Sequence, residues 1–143
     1  VVTTNGVAGP AGVTISAMCS VSADPPIVLV CLHHESRTVP AVQQNRTFCV
    51  NVLAETMQNF ATKFATITST EHTFKTSEWG TAITGAPVLL GALASFDCRI
   101  KEIHRAGSHF IFIGDVEMVI LRDGCPLIYG SRSYGSPNYF KEN

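Results

Sequence analysis

From residue 12 to residue 32 the chain reads as two β-strands joined by a turn at Asp24-Pro25-Pro26, and the first strand carries Thr14, Ser16, Ser20 and Ser22 at even spacing. A period of two places all four hydroxyls on one face, which makes that face able to hydrogen-bond a ligand. The second strand, residues 27–32, is nearly continuous apolar and predicts burial on both faces.

The rest of the chain repeats this pattern of short strands and turns. Residues 1–4 read as a strand, and Asn5-Gly6 followed by Gly9-Pro10 punctuates the turn after it. Ser36 is positioned to N-cap a helix through about Gln44, with Pro40 tolerated in its first turn. Residues 47–53 are rich in β-formers, and Met57, Phe60, Ala61 and Phe64 then recur at helical spacing, predicting a helix over 55–65. After a long polar loop over 66–78, two apolar segments, 89–103 and 109–119, flank the hairpin turn Arg105-Ala106-Gly107-Ser108. Asp123-Gly124 turns into a last run over 125–129. Six or seven strands with two or three short helices predict a mainly β, predominantly antiparallel barrel, because closure removes exposed strand edges.

One domain over 1–143 fits the length, and a core of this size stands without staples. Charged residues make up only 15% against 45% hydrophobic, a surface that predicts cover by a second subunit and hence a homodimer. A net charge of −1 without a Lys/Arg cluster argues against nucleic acid as a partner. No apolar run approaches the roughly 18 residues that span a bilayer, so no membrane association is expected. Five scattered cysteines (Cys19, Cys31, Cys49, Cys98, Cys125) fit reduced, mostly buried thiols and a cytoplasmic location. The chain opens on Val1-Val2-Thr3-Thr4 without an initiator Met, and a lead-in segment is expected to be missing.

Several side chains are candidates for chemistry, each with a plainer alternative. Thr14 and Ser16 can hydrogen-bond a ligand, or form a solvated sheet face. Ser36-Arg37-Thr38 offers a guanidinium, two hydroxyls and helix-start amides to a phosphate, or is an ordinary capped helix. Cys31 sits in an apolar strand, where a thiol is a core residue by default. His109 follows a Gly-Ser turn, a common surface position, and Tyr134 lies in a Gly/Ser-rich tail from which it can stack on a ring. His33-His34 point opposite ways on an extended chain and no Cys-x-x-Cys or His-Glu-x-x-His accompanies them, so no metal site is expected. No Gly-x-Gly-x-x-Gly or Walker-type loop is present, and any nicotinamide nucleotide must bind without a Rossmann crossover.

Taken in order, Thr14-x-Ser16-Ala17, Cys19-Ser20-Val21-Ser22-Ala23-Asp24-Pro25-Pro26, Val30-Cys31-Leu32, Phe48-Cys49-Val50-Asn51-Val52-Leu53, Phe64-Ala65, Gly107-Ser108-His109 and Leu127-Ile128-Tyr129 resemble the flavin reductase-like proteins of the FMN-binding split-barrel fold. Within that family the sequence is most similar to the reductase component of two-component aromatic monooxygenases of the 4-hydroxyphenylacetate 3-monooxygenase type, from about Val1 to Tyr134. The resemblance implies a dimeric six-stranded antiparallel split barrel that binds FMN or FAD, receives hydride from NADH or NADPH, and releases reduced flavin to a flavin-dependent oxygenase. Carried over position by position, it implies flavin contacts at Thr14, Ser16, Ala17, Cys31, Leu32, Ser36, Arg37 and Thr38, with Lys63, Phe64 and Ala65 closing the phosphate side. The family's Gly-Asp-His turn, linked with nicotinamide nucleotide binding, falls on Gly107-Ser108-His109, where Ser108 replaces the acid. Tyr134 would cover the flavin or nicotinamide. No general acid, base or nucleophile is expected, because the cofactor carries the reaction. A non-catalytic flavin carrier, a barrel used only for interaction, and a flavin-dependent ferric reductase remain the alternatives.

Overall fold

The computed structural model describes residues 1–66 and 71–140, apart from the side chains at 71 and 72. Strands β1 (Val2–Thr4), β2 (Ala11–Val13), β3 (Met18–Ala23) and β4 (Pro26–His33) lead to helix α1 (Thr38–Asn45) and β5 (Thr47–Val52). A 3₁₀ turn (Glu55–Met57) runs into helix α2 (Gln58–Thr66), and a second 3₁₀ turn (Glu71–Lys75) lies within the segment read as a loop. Then come β6 (Trp79–Thr81), β7 (Pro87–Leu89), the long hairpin β8 (Ala94–Ala106) and β9 (His109–Leu121), and the small hairpin β10 (Ile128–Gly130) and β11 (Ser133–Gly135).

Seven of these strands form one sheet in the order β2-β1-β5-β8-β9-β4-β3, antiparallel throughout, with β6-β7 and β10-β11 as separate pairs among the described residues. This corrects the closed six-stranded barrel in both count and closure. The run read as a single strand, 12–22, leaves the sheet at 14–17, where Ser16 bends the backbone, and so becomes two strands at opposite edges. Those edges are not hydrogen-bonded to each other. Laid flat, seven strands would separate them by about 29 Å at the usual 4.8 Å spacing. Five Cα steps from Val13 to Met18 reach at most about 18 Å, so the sheet has to curl until its two edges nearly meet.

The curled sheet encloses Val28, Val30 and Leu32 of β4, Phe48 and Val50 of β5, and Cys98, Ile100 and Phe112 of the long hairpin. Each fully buried Phe or Leu stabilises the fold by about 1.5–3 kcal/mol. Strand β4 alternates, with Ile27, Leu29 and Cys31 only half-buried, so the expected burial on both faces does not occur. Its second face borders surface depressions at Ile27 and Cys31 instead of a packed layer. Helix α1 turns Val39 and Val42 into this core and places Pro40 in its first turn. Ser36 prepares the start without joining it: the Thr38 amide donates to Ser36 Oγ at 3.4 Å and the Val39 amide to its carbonyl at 3.0 Å.

A polar staple ties four strands together. The fully buried Asn51 amide donates to Thr3 Oγ1 at 3.1 Å and to the Pro87 carbonyl at 3.4 Å, while its oxygen accepts from the Leu89 amide at 2.8 Å and Ser95 Oγ at 3.0 Å. On the neighbouring strand Asp97, also buried, accepts from the amide and the hydroxyl of Thr84.

The thiols divide more evenly than expected. Cys49 and Cys98 are buried, Cys31 is half-buried, and Cys19 and Cys125 are exposed because they sit on an edge strand and a surface turn. Burial, with the Asp97 charge adding to it, pushes the Cys49 thiol up to about 12, and burial followed by the nearby Cys49 raises Cys98 as well. A thiol reagent at about pH 8 is therefore expected to modify Cys19 and Cys125 rapidly and Cys49 and Cys98 only after denaturation. Rapid modification of either buried thiol in the native protein would contradict this packing. The stability held by the neutral Cys49 thiol is complete below the unfolded value of 9.0 and is lost as pH rises toward 12.

No described helix is long and apolar enough to cross a membrane.

Candidate functional site

Residues 14–17, the seam between the two sheet edges, form a ledge clipped down at both ends. The Thr14 amide donates to the Phe64 carbonyl at 3.1 Å, one of the carbonyls that the end of α2 leaves without an intrahelical partner. The Thr14 hydroxyl donates to the Ala61 carbonyl at 2.8 Å. At the other end the Cys31 amide of β4 donates to the Ala17 carbonyl at 3.0 Å, and Met18 N–H to the Ser16 carbonyl at 3.1 Å. The amides of Ile15, Ser16 and Ala17 donate to no described residue, which leaves backbone N–H groups available to a ligand. Gly12 permits this approach: a Cβ there would lie 2.8 Å from Phe64 Cε1.

A cavity of about 400 Å³ opens beside the ledge. Its floor is Thr14, Ile15, Ser16 and Ala17, and one wall is Cys31, Leu32 and His33 at the end of β4. Ser36 before α1, Ala65 at the end of α2 and His109 at the start of β9 complete that side. Opposite stand Tyr129 and Tyr134, cross-strand partners in the β10-β11 hairpin, with ring centroids 4.9 Å apart. A second depression of about 330 Å³ shares Thr14, Ile15, Ser16 and both tyrosines, so the ledge and the tyrosine pair divide two adjoining spaces. Polar ledge, apolar wall and aromatic cover suit a flat ring system with polar edges, in the size range of small-ligand sites.

Two imidazoles sit at the rim, and a third stacks on one of them. His33 pairs across strands with His109, their rings meeting edge to face at 5.1 Å, and His34 stacks on His33 at 4.8 Å. Ser108 Oγ lies 2.9 Å from His109 Nδ1, so the hydroxyl at this turn engages the ring where the family carries an acid.

Of the residues singled out from sequence, Thr14, Ser16, Ala17, Cys31, Leu32, Ser36, Ala65, His109 and Tyr134 come together around this one cavity. The others do not line it. Arg37 is exposed at the N-terminus of α1, and Lys63 is exposed on α2. Thr38 is buried with its hydroxyl donating to the Gly12 carbonyl at 3.1 Å, and Phe64 is buried in an aromatic cluster behind the ledge. The row of four hydroxyls does not exist as one face. Ser20 and Ser22 lie on β3, on either side of a register shift that carries Val21 out of the ladder, and both border a different depression.

His33 and Tyr129 were missed as site residues. The signal for Tyr129 is its place opposite Tyr134, but the intervening Ser131-Arg132 turn has both residues at positive φ (49° and 61°) without the Asn-Gly or Asp-Gly pair that marks such turns.

Residues 1–137 match the family model described as flavin reductase like domain. The chain is 43% identical over 136 residues, 94% of its length and 82% of the relative's, to an FMN reductase (NADH), RutF, of Escherichia coli strain K12. Among solved structures it resembles BorF, the flavin reductase component of a bacterial two-component tryptophan halogenase, with TM-score 0.88 and 31% identity, covering 96% of this chain and 89% of that one. It also resembles the NADH:FAD oxidoreductase SgcE6 of Streptomyces globisporus, with TM-score 0.87 and 28% identity, covering 96% and 84%. With the family model spanning nearly the whole sequence and a relative 43% identical over 94% of it, this chain belongs to the flavin reductase-like family and is a flavin reductase.

Proposed function

We propose that the cavity beside the ledge holds FMN or FAD and admits NADH, with NADPH as the second donor to be tested, and that reduced flavin then leaves for a flavin-dependent oxygenase of aromatic-compound metabolism. The single observation that carries this reading is the convergence of the ledge, the β4 end and the tyrosine hairpin on one ring-sized space. The relatives support it, since RutF is named for FMN and NADH and BorF for service to a two-component halogenase.

The residues fit a flavin in kind. Available amides and the Ser16 hydroxyl would hydrogen-bond its polar edge, Cys31 and Leu32 would pack against its apolar part, and Tyr129 and Tyr134 would limit access of water. Thr14 acts through its bonds to α2, which set the height of the ledge. Ser36, Arg37 and Thr38 at the start of α1 and Lys63, Phe64 and Ala65 at the end of α2 make up the phosphate side, with the hydroxyl of Ser36 and the charges of Arg37 and Lys63 as the polar contributors. His109 and Tyr134 hold the nicotinamide nucleotide. The chemistry that flavin supplies is acceptance of a hydride, and the chain's contribution is position and exclusion of water, with no residue in an acid–base role.

Exposed Val119 and Leu121, on one side of the far half of β9, offer an apolar face for a second copy, the basis for a homodimer. A cytoplasmic location is part of the same proposal, resting on five unpaired thiols.

Mixing the protein with FMN or FAD and NADH or NADPH is expected to give flavin-dependent loss of reduced-nicotinamide absorbance. Flavin binding without that loss would select a carrier, and loss that needs a ferric complex would select a ferric reductase. A protein that ignores flavin altogether would leave only an interaction role.

A further inference from the structure

The resemblance to the family assigns a role to His109 and none to His33, which the β4-β9 register sets directly opposite it on the cavity rim. The Glu35 amide donates to His33 Nδ1 at 3.3 Å. A backbone N–H can only donate, so Nδ1 is an acceptor and the neutral ring carries its hydrogen on Nε2. Ser108 Oγ, 2.9 Å from His109 Nδ1, sets the same arrangement when its hydroxyl donates there. Stacking on His34 (interplanar angle 23°) and the edge contact with His109 (85°) fix the plane of His33 from two directions. The Glu35 carboxylate approaches His33 at Nδ1, 4.0 Å away, and not at Nε2.

We propose that His33 and His109 act as a paired N–H donor for phosphate oxygens, with His33 an additional binding residue of the reductase reaction. Two N–H groups on rings whose centroids lie 5.1 Å apart suit the oxygens of a diphosphate, and the inference rests on the reading of this cavity as a flavin and nicotinamide site. The same chemistry is offered by the diphosphate of a nicotinamide dinucleotide and by the phosphate of a flavin nucleotide.

Steady-state kinetics of the full chain as wild type, His33→Ala and His33→Gln test this with two donors and two flavins. NADH carries phosphates and N-benzyl-dihydronicotinamide does not; FMN carries one and riboflavin does not. His33→Ala is expected to raise KM for NADH about tenfold with kcat within about twofold, the loss that fits one hydrogen bond to an anion at an exposed rim. His33→Gln, whose amide N–H reaches toward the place of Nε2, is expected to recover most of it. A penalty that persists with riboflavin and vanishes with the benzyl donor assigns the dinucleotide diphosphate. A penalty in the KM for FMN that vanishes with riboflavin assigns the flavin phosphate. Unchanged KM values in His33→Ala, or an equal penalty when neither donor nor flavin carries phosphate, overturn the proposal. If the wild type shows no flavin-dependent oxidation of NADH, the reductase reading itself has failed, and equilibrium titration of FMN against riboflavin still reads the phosphate preference of His33.

Discussion

Replacing Asn51 with leucine is expected to lower the free energy of unfolding by about 3–5 kcal/mol, although the two side chains are close in size. The change leaves the Leu89 amide and the hydroxyls of Ser95 and Thr3 buried without their Asn51 partner. Each stranded buried polar group costs about 1–3 kcal/mol, and the apolar replacement returns part of that through the hydrophobic effect. Thr3 retains carbonyl acceptors on Cys49 and Pro87, so its share is the smallest. Urea denaturation followed by fluorescence of the one Trp measures the shift. A midpoint within experimental error of wild type would show that the staple is dispensable.

Replacing Gly12 with valine is expected to weaken flavin binding more than tenfold while costing about 1–3 kcal/mol of stability, the range for an overpacked site. A Cβ at Gly12 would meet Phe64 Cε1 at 2.8 Å, Phe64 Cδ1 at 3.1 Å and Phe74 Cζ at 3.2 Å. Those rings cannot simply turn aside. Phe64 lies 5.6 Å from Phe74 and 5.5 Å from Trp79, and Trp79 also packs on Phe74 at 4.8 Å. Relief therefore comes by shifting α2, whose Ala61 and Phe64 carbonyls hold Thr14 in place. Titrating flavin fluorescence separates this effect from stability, which is measured in parallel by urea. A valine variant that binds flavin like wild type would remove the ledge from the site.

Local elements were legible in the sequence wherever pattern and chemistry agreed. The helical spacing of Met57, Phe60, Ala61 and Phe64 locates α2, although its first turn is 3₁₀, and Gly107-Ser108 marks the turn of the long hairpin. Most of the cavity's lining is recognisable from the ordered family motifs. What the sequence conceals is set by bonds between distant residues. Alternating hydroxyls from Thr14 to Ser22 look like one continuous strand, because period two is a property of residue types. The bend at Ser16 is instead fixed by hydrogen bonds to Phe64 and Ala61, far along the chain. The tyrosine hairpin is hidden for a related reason: Ser131 and Arg132 are uncommon in a turn with two positive φ angles, so the segment reads as a tail. Even the apolar run of β4 misleads, since only knowledge of the open seam explains why Cys31 borders a cavity.

The four-residue seam has one more consequence. Ladder pairing holds the scaffold rigid on both sides of residues 14–17, yet those residues pair with no strand themselves, apart from the single bond that anchors Ala17 to β4. The exposed side chain of Ser16 can be exchanged without altering any strand register, whereas Ile15 also packs against the core. Ligand preference and scaffold integrity are thereby separable quantities in this molecule, each open to adjustment by mutation at its own positions.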